Sequence, residues 1–214
     1  VDYPAYFAKI RRLQESYDGQ IVIKCGLEFG MQVHTIPAYE ALFHKYPLDF
    51  VILSVHQVED QEFWTQDFQR GKSQQEYQER YYEEMLRVVQ KYQDYSVLGH
   101  MDLITRYDQQ GPYPFAKIEP VITEILKTVI AHGKGLELNT SYHRYRLKDT
   151  TPSVDILKLY RRLGGEVITI GSDSHQPEHL GTFINEAKQL LKSLGYRWFC
   201  TFEQMRPIFH SLDT

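Results

Sequence analysis

A chain of 214 residues with 24 basic against 28 acidic side chains, a formal charge of −4 and a pI near 6.1 carries no electrostatic footprint for nucleic acid or an anionic membrane. The length suits one large domain with a substantial core, so a single unit over 1–214 is expected. The two cysteines, Cys25 and Cys200, lie in or near predicted strands, which argues against a disulfide framework and for a reducing cytoplasm; no stretch approaches the roughly 18 apolar residues of a membrane span.

The chain opens at Val1, without an initiator Met and inside a helix-like stretch, so a segment upstream is expected. Residues 2–17 place Tyr6, Ile10, Leu13 and Tyr17 on one helical stripe. IVIKCGLEFG (21–30) reads as a strand ending in Glu28, a helix follows Pro37, and LDFVILSVH (48–56) is a strand ending in His56. Residues 57–71, with Trp64, lack periodicity and read as an excursion loop over a site. Residues 73–93 form an amphipathic helix capped by Ser73, and YSVLGHMD is the next strand, with His100 at its exit. A helix through 115–132 stops at Gly133, and GLELN follows as a strand ending in Asn139. A helix opened by Pro152 leads into EVITI (166–170), which Gly171 and Ser172 break so that Asp173 and His175 stand at its mouth. A helix over 177–194, a strand RWFCTF and a terminal helix through Phe209 complete the expectation.

Alternating strands and helices, with strands nearly continuous in apolar residues, predict a parallel sheet buried on both faces. Glu28, His56, His100, Asn139, Asp173 and His175 then all fall at carboxyl ends of strands, the face on which βα arrays gather their chemistry. Taken alone, Asp173 and His175 could be metal ligands, a base and its partner, or loop polar groups. Together the two acids and three imidazoles suit zinc, manganese or iron, and the thiols are placed away from the set. A Ser-His-Asp hydrolase would need a G-x-S-x-G elbow, which the sequence lacks, as it lacks a Gly-rich phosphate cradle.

GLE with Glu28, SVH with His56, GHMD with His100, ELNTS with Asn139 and GSDSH with Asp173 and His175 resemble the successive motifs of the PHP (polymerase and histidinol phosphatase) superfamily, most closely its histidinol-phosphate phosphatase branch. The resemblance covers nearly the whole chain. It implies an α/β fold, a distorted (βα)7 TIM-like barrel, holding up to three divalent ions (Zn, Mn or Fe) and hydrolysing L-histidinol phosphate to L-histidinol and phosphate in histidine biosynthesis. It further implies an H-x-H motif and two strands ahead of Val1, so the expectation is a partial chain, a missing N-terminal segment, or a homo-oligomer. By the resemblance Glu28 bridges two metals, His56 and His100 bind the second, Asp173 the first and His175 the third, with Glu28, Asp173 and His175 as the catalytic set. Arg106 and Arg144 fall where this branch places phosphate contacts, and guanidinium forks suit phosphate; Asn139 would contact substrate or close a turn.

The remaining histidines are weaker candidates. His44 and His132 end predicted helices, where a cation meets the negative end of the dipole. His34 and His210 match no family ligand, whereas His143 and His179 flank the motifs and could line a pocket. Tyr77, Tyr81 and Tyr82 read as helix packing. Two other functions fit the same residues: hydrolysis of a different phosphoester, against which the absence of a basic stripe weighs for nucleic-acid ends, and an inactive remnant serving as a binding or scaffold subunit.

Overall fold

The computed structural model describes residues 1–213. Helix α1 spans Tyr3–Ser16, started by Asp2, whose Oδ1 accepts the Ala5 N–H at 2.9 Å. Strand β1 (Gly26–Gly30), helix α2 (Ile36–Phe43) and strand β2 (Phe50–Ser54) follow. The stretch expected as a loop holds a short hairpin, β3 (Gln57–Val58) with β4 (Gln61–Glu62), turned at Glu59 and Asp60 with φ of 55° and 59°. Helix α3 (Gln74–Lys91) starts in a capping box in which Ser73 and Glu76 bond each other's main chain. Strand β5 (Val97–Leu98), helix α4 (Phe115–Ala131), strand β6 (Gly135–Asn139), helix α5 (Val154–Arg162) and strand β7 (Ile168–Gly171) continue the alternation. Helix α6 (Ile184–Ser193) and strands β8 (Trp198–Glu203) and β9 (Arg206–Ser211) complete it.

Strands β1, β2, β5, β6 and β7 form one parallel five-stranded sheet in the order β1-β2-β5-β6-β7. Parallel strands need helical crossovers, and these supply the cover: α3 buries Tyr77, Tyr81, Tyr82, Met85, Val88 and Val89. Helix α4 adds Ile118, Ile122, Ile125, Leu126 and Val129 at helical spacing. At about 1.5–3 kcal/mol per large apolar side chain, this interior is the principal support of the sheet. The tyrosines at 77, 81 and 82 are packing residues, at most 2% exposed.

Several expectations need correction. Residues 206–211, expected as part of a terminal helix, are strand β9, paired antiparallel with β8. Their turn, Gln204–Met205, has both φ values positive, at 49° and 64°, without the Asn-Gly pair that usually marks such a hairpin. Long-range bonds hold it instead: Asp49 Oδ1 accepts the Gln204 N–H at 3.0 Å and the Asp49 carbonyl accepts that of Met205 at 2.9 Å. The helix expected over 177–194 is interrupted by positive φ at Gly181 and Phe183, leaving a 3-10 turn at Pro177–His179 ahead of α6. The strand expected from residue 21 starts only at Gly26, and on α1 the buried residue is Phe7, while Tyr17 is 46% exposed.

Candidate metal centre

The register of the sheet brings the polar strand exits together. Gly30 of β1 pairs with Ser54 of β2, and Leu53 of β2 with Leu98 of β5, so the residues just past these strands share one rim. Glu28 Oε1 lies 3.1 Å from His56 Nε2 and 3.1 Å from His100 Nε2, and it accepts a hydrogen bond from Ser54 Oγ at 2.6 Å. The two imidazole Nε2 atoms stand 3.5 Å apart. Room for the His56 ring depends on Gly30, since a Cβ there would come within 2.8 Å of His56 Nδ1.

The electrostatics follow from crowding. Burial opposes ionisation of Glu28, but hydrogen bonds from His100 and His56 outweigh it and hold the carboxyl well below the usual carboxylate range. Burial likewise disfavours charge on His100; the bond to Glu28 and the charges of Glu137 and Glu28 prevail and raise its pKa. One carboxylate oxygen facing two imidazole nitrogens, with mutually close donor atoms, is a donor set that a divalent cation fits, because an ion satisfies all three at once. Asp173 and His175 lie outside this cluster. Asp173, at a φ of +48°, has Oδ2 3.8 Å from Arg106 Nη2, and His175 is an exposed ring with Nδ1 3.0 Å from the Asp173 carbonyl.

The arginines differ in what they hold. Arg106, in a 3-10 turn over Leu103–Tyr107, has a side chain only 6% exposed; it donates to Ser141 Oγ at 2.8 Å, stacks on the Tyr145 ring at 3.9 Å, and its Nε is buried without a partner among the described residues. Arg144 donates to the carbonyls of Ser172 and Asp173 at 2.7 and 2.6 Å, gripping the turn that carries Asp173. Asn139 is 1% exposed and closes a turn, accepting from the Ser141 N–H at 2.9 Å.

The weaker histidines are engaged elsewhere. His34 pairs with Asp60 at 3.0 Å, His44 and His132 cap helices α2 and α4, and His210 lies 2.7 Å from Thr201 Oγ1. His143 stacks on Phe183 with ring centroids 3.9 Å apart, and His179 ends the 3-10 turn.

Sequence reading missed Glu137. Its Oε2 accepts the His100 main-chain N–H at 3.1 Å and the Asn139 side-chain N–H at 3.2 Å, while burial pushes its pKa up against the pull of His100 and Asn139. Gly171 on the adjoining strand makes room, since a Cβ there would lie 2.1 Å from Glu137 Oε1. The available signal was an acid in the middle of GLELN, an otherwise apolar buried strand.

A parallel α/β sheet with a Glu-His-His cluster, Glu28 inside β1 and His56 and His100 just past β2 and β5, defines a metal-binding protein of the βα type. The PHP domain family matches residues 1–141. The histidinol-phosphatase of Lactococcus lactis subsp. lactis is 34% identical over 96% of this chain and 77% of its own length. The probable histidinol-phosphatase of Clostridium acetobutylicum is 27% identical, covering 80% of this chain and 68% of that protein. Among solved structures, the histidinol phosphate phosphatase of L. lactis, complexed with zinc, L-histidinol and phosphate, is similar with a TM-score of 0.84 and 32% identity, over 97% of this chain and 80% of that one. The chain belongs to the PHP family, in its histidinol-phosphatase branch.

Proposed function

We propose that this chain is a metal-dependent phosphomonoester hydrolase that converts L-histidinol phosphate and water to L-histidinol and phosphate. The observation that carries the reading is the convergence of His56 and His100 on one oxygen of Glu28, both at 3.1 Å. The similarity to the histidinol-phosphatase of L. lactis selects the substrate. Glu28, His56 and His100 would hold a divalent ion, Zn, Mn or Fe, and Asp173 and His175 would extend the site toward further ions, up to three in all. Such ions, when bound, lower the pKa of water and offset charge on a phosphoryl group.

The chain's own residues then do four things. Ser54 and Glu137 fix Glu28 and the His100 turn before substrate arrives. Arg106, with its unpaired Nε, and Arg144 bind phosphate oxygens beside the metal shell. Asn139 shapes the loop that carries Ser141 under Arg106. The turn that carries Asp173 holds the exposed His175 ring, its Nδ1 3.0 Å from the Asp173 carbonyl, at the rim, and Glu28, Asp173 and His175 form the catalytic set. The reading includes a single domain over 1–214 whose sheet is part of a distorted (βα)7 barrel, supported by the Thr169 Oγ1 bond to the Cys200 carbonyl that links β7 to β8. No described helix is long and apolar enough to cross a membrane, and the free buried thiols of Cys25 and Cys200 suit a reducing cytoplasm. Hydrolysis in oxygen-18 water tests the chemistry: attack on phosphorus puts the label in phosphate, and label in histidinol would refute it.

A further inference from the structure

Past His100 the chain carries a second buried acid. Asp102, 2% exposed, accepts the Ser153 N–H on Oδ2 at 2.8 Å, while its Oδ1 has no partner among the described residues. It lines a cavity of about 460 Å³ among α3, the start of α4 and the segment leading into α5, within the roughly 300–1,000 Å³ usual for small-molecule sites. None of Glu28, His56 and His100 is in that lining. Two further lining groups, the Tyr82 and Tyr113 hydroxyls, are buried without a partner among the described residues, and Phe115 and Ile118 supply apolar wall. Asp108, Asp149 and Asp155 also line it, against Arg146 and Lys148, so acids outnumber bases.

We propose that this cavity binds a small organic cation, a primary ammonium carried on an aromatic or apolar body, with the ammonium on the free oxygen of Asp102. An ammonium supplies donors to the unpaired Asp102 Oδ1 and the tyrosine hydroxyl oxygens, while the body displaces water from Phe115 and Ile118. An anion would meet the acids, and a bare metal ion would leave the apolar wall unused.

The test is a proton–nitrogen NMR titration of the full-length, zinc-loaded protein with benzylammonium, and with benzyl alcohol as its uncharged counterpart. The expected result is saturable benzylammonium binding, with shifts at Tyr82, Tyr113 and Ile118, and much weaker binding of the alcohol. Asp102→Asn should weaken binding at least about 10-fold. Ile118→Trp, which fills the cavity and leaves the acid in place, should abolish it and decides the matter if Asp102→Asn does not fold. Glu28→Gln should bind benzylammonium as the parent does. The proposal is overturned by absence of saturable binding, by equal binding of the alcohol, by parent-like binding in a folded Asp102→Asn or Ile118→Trp protein, or by loss of binding in Glu28→Gln.

Discussion

Glu137 holds His100 by the backbone: its carboxylate accepts the His100 main-chain N–H at 3.1 Å, at a residue whose φ is +23°. The ring of the same histidine faces Glu28, so one imidazole is fixed from behind by one acid and used in front by another. Glu137→Leu leaves the His100 and Asn139 donors unpaired, which costs about 1–3 kcal/mol each when buried. Glu137→Gln keeps an acceptor and should stay near the parent. Denaturant unfolding of the metal-free proteins checks the order, and equal stability of the Leu and Gln variants would remove Glu137 from its supporting role.

His56 and His34 make a matched pair of histidine deletions. His56→Ala removes one of three donors around the candidate ion, so zinc affinity should fall at least about 10-fold. His34, paired with Asp60 outside the cluster, should be replaceable by Ala without effect on zinc. Competition with a chromophoric chelator measures both, and a fall confined to His34→Ala would put the metal elsewhere.

The centre's protons give a pH dependence with a definite sign. Glu28 is depressed from an ordinary value of 4.5, so its contribution to stability is present above that value and lost as pH falls through the folded pKa. His100 is raised from 6.5, so its contribution is present below that value and lost as pH rises through the folded pKa. The Glu–His pair therefore stabilises the metal-free protein most fully between 4.5 and 6.5. Zinc needs the neutral imidazole, so its stabilising effect runs the other way and grows with pH. From about pH 6 to about pH 8 the zinc-induced rise in Tm should increase; a rise independent of pH would contradict proton displacement from His100.

Arg106 and Arg144 should separate by mechanism. Arg106→Ala removes a buried cation next to Asp173 and should cost about 1.5–3 kcal/mol, or roughly 10- to 150-fold in kcat/KM, with zinc retained. Arg144 also holds the carbonyls of Ser172 and Asp173, so Arg144→Ala should lose activity and part of its metal together. Steady-state kinetics with metal analysis distinguishes them, and parent efficiency in either variant excludes that arginine from phosphate binding.

What could be read from the sequence was what depends on local pattern. The alternation of apolar strands and amphipathic helices pointed to the parallel sheet, and strand ends marked His56 and His100 because parallel exits share a rim, whereas Glu28, expected at a strand end, lies inside β1 and reaches them from there. What escaped depends on distant partners. The β8–β9 turn rests on Asp49, far away in sequence, and carries left-handed Gln and Met where glycine or asparagine would have signalled it. Glu137 was hidden because a buried acid looks like a strand error until the His100 N–H it accepts is known. The turn at Asp173 is held by Arg144 through main-chain carbonyls, a contact that leaves no mark in residue type.

Phosphate release from L-histidinol phosphate by the full-length zinc-loaded protein and its Glu28→Gln variant tests the central claim most directly. Glu28→Gln keeps the size and removes the charge on which both imidazoles converge. The account predicts turnover by the parent, and zinc loss with at least about a 100-fold fall in kcat in the variant. A variant that keeps its zinc and releases phosphate at the parent rate, or a zinc-loaded parent that releases none, would contradict it.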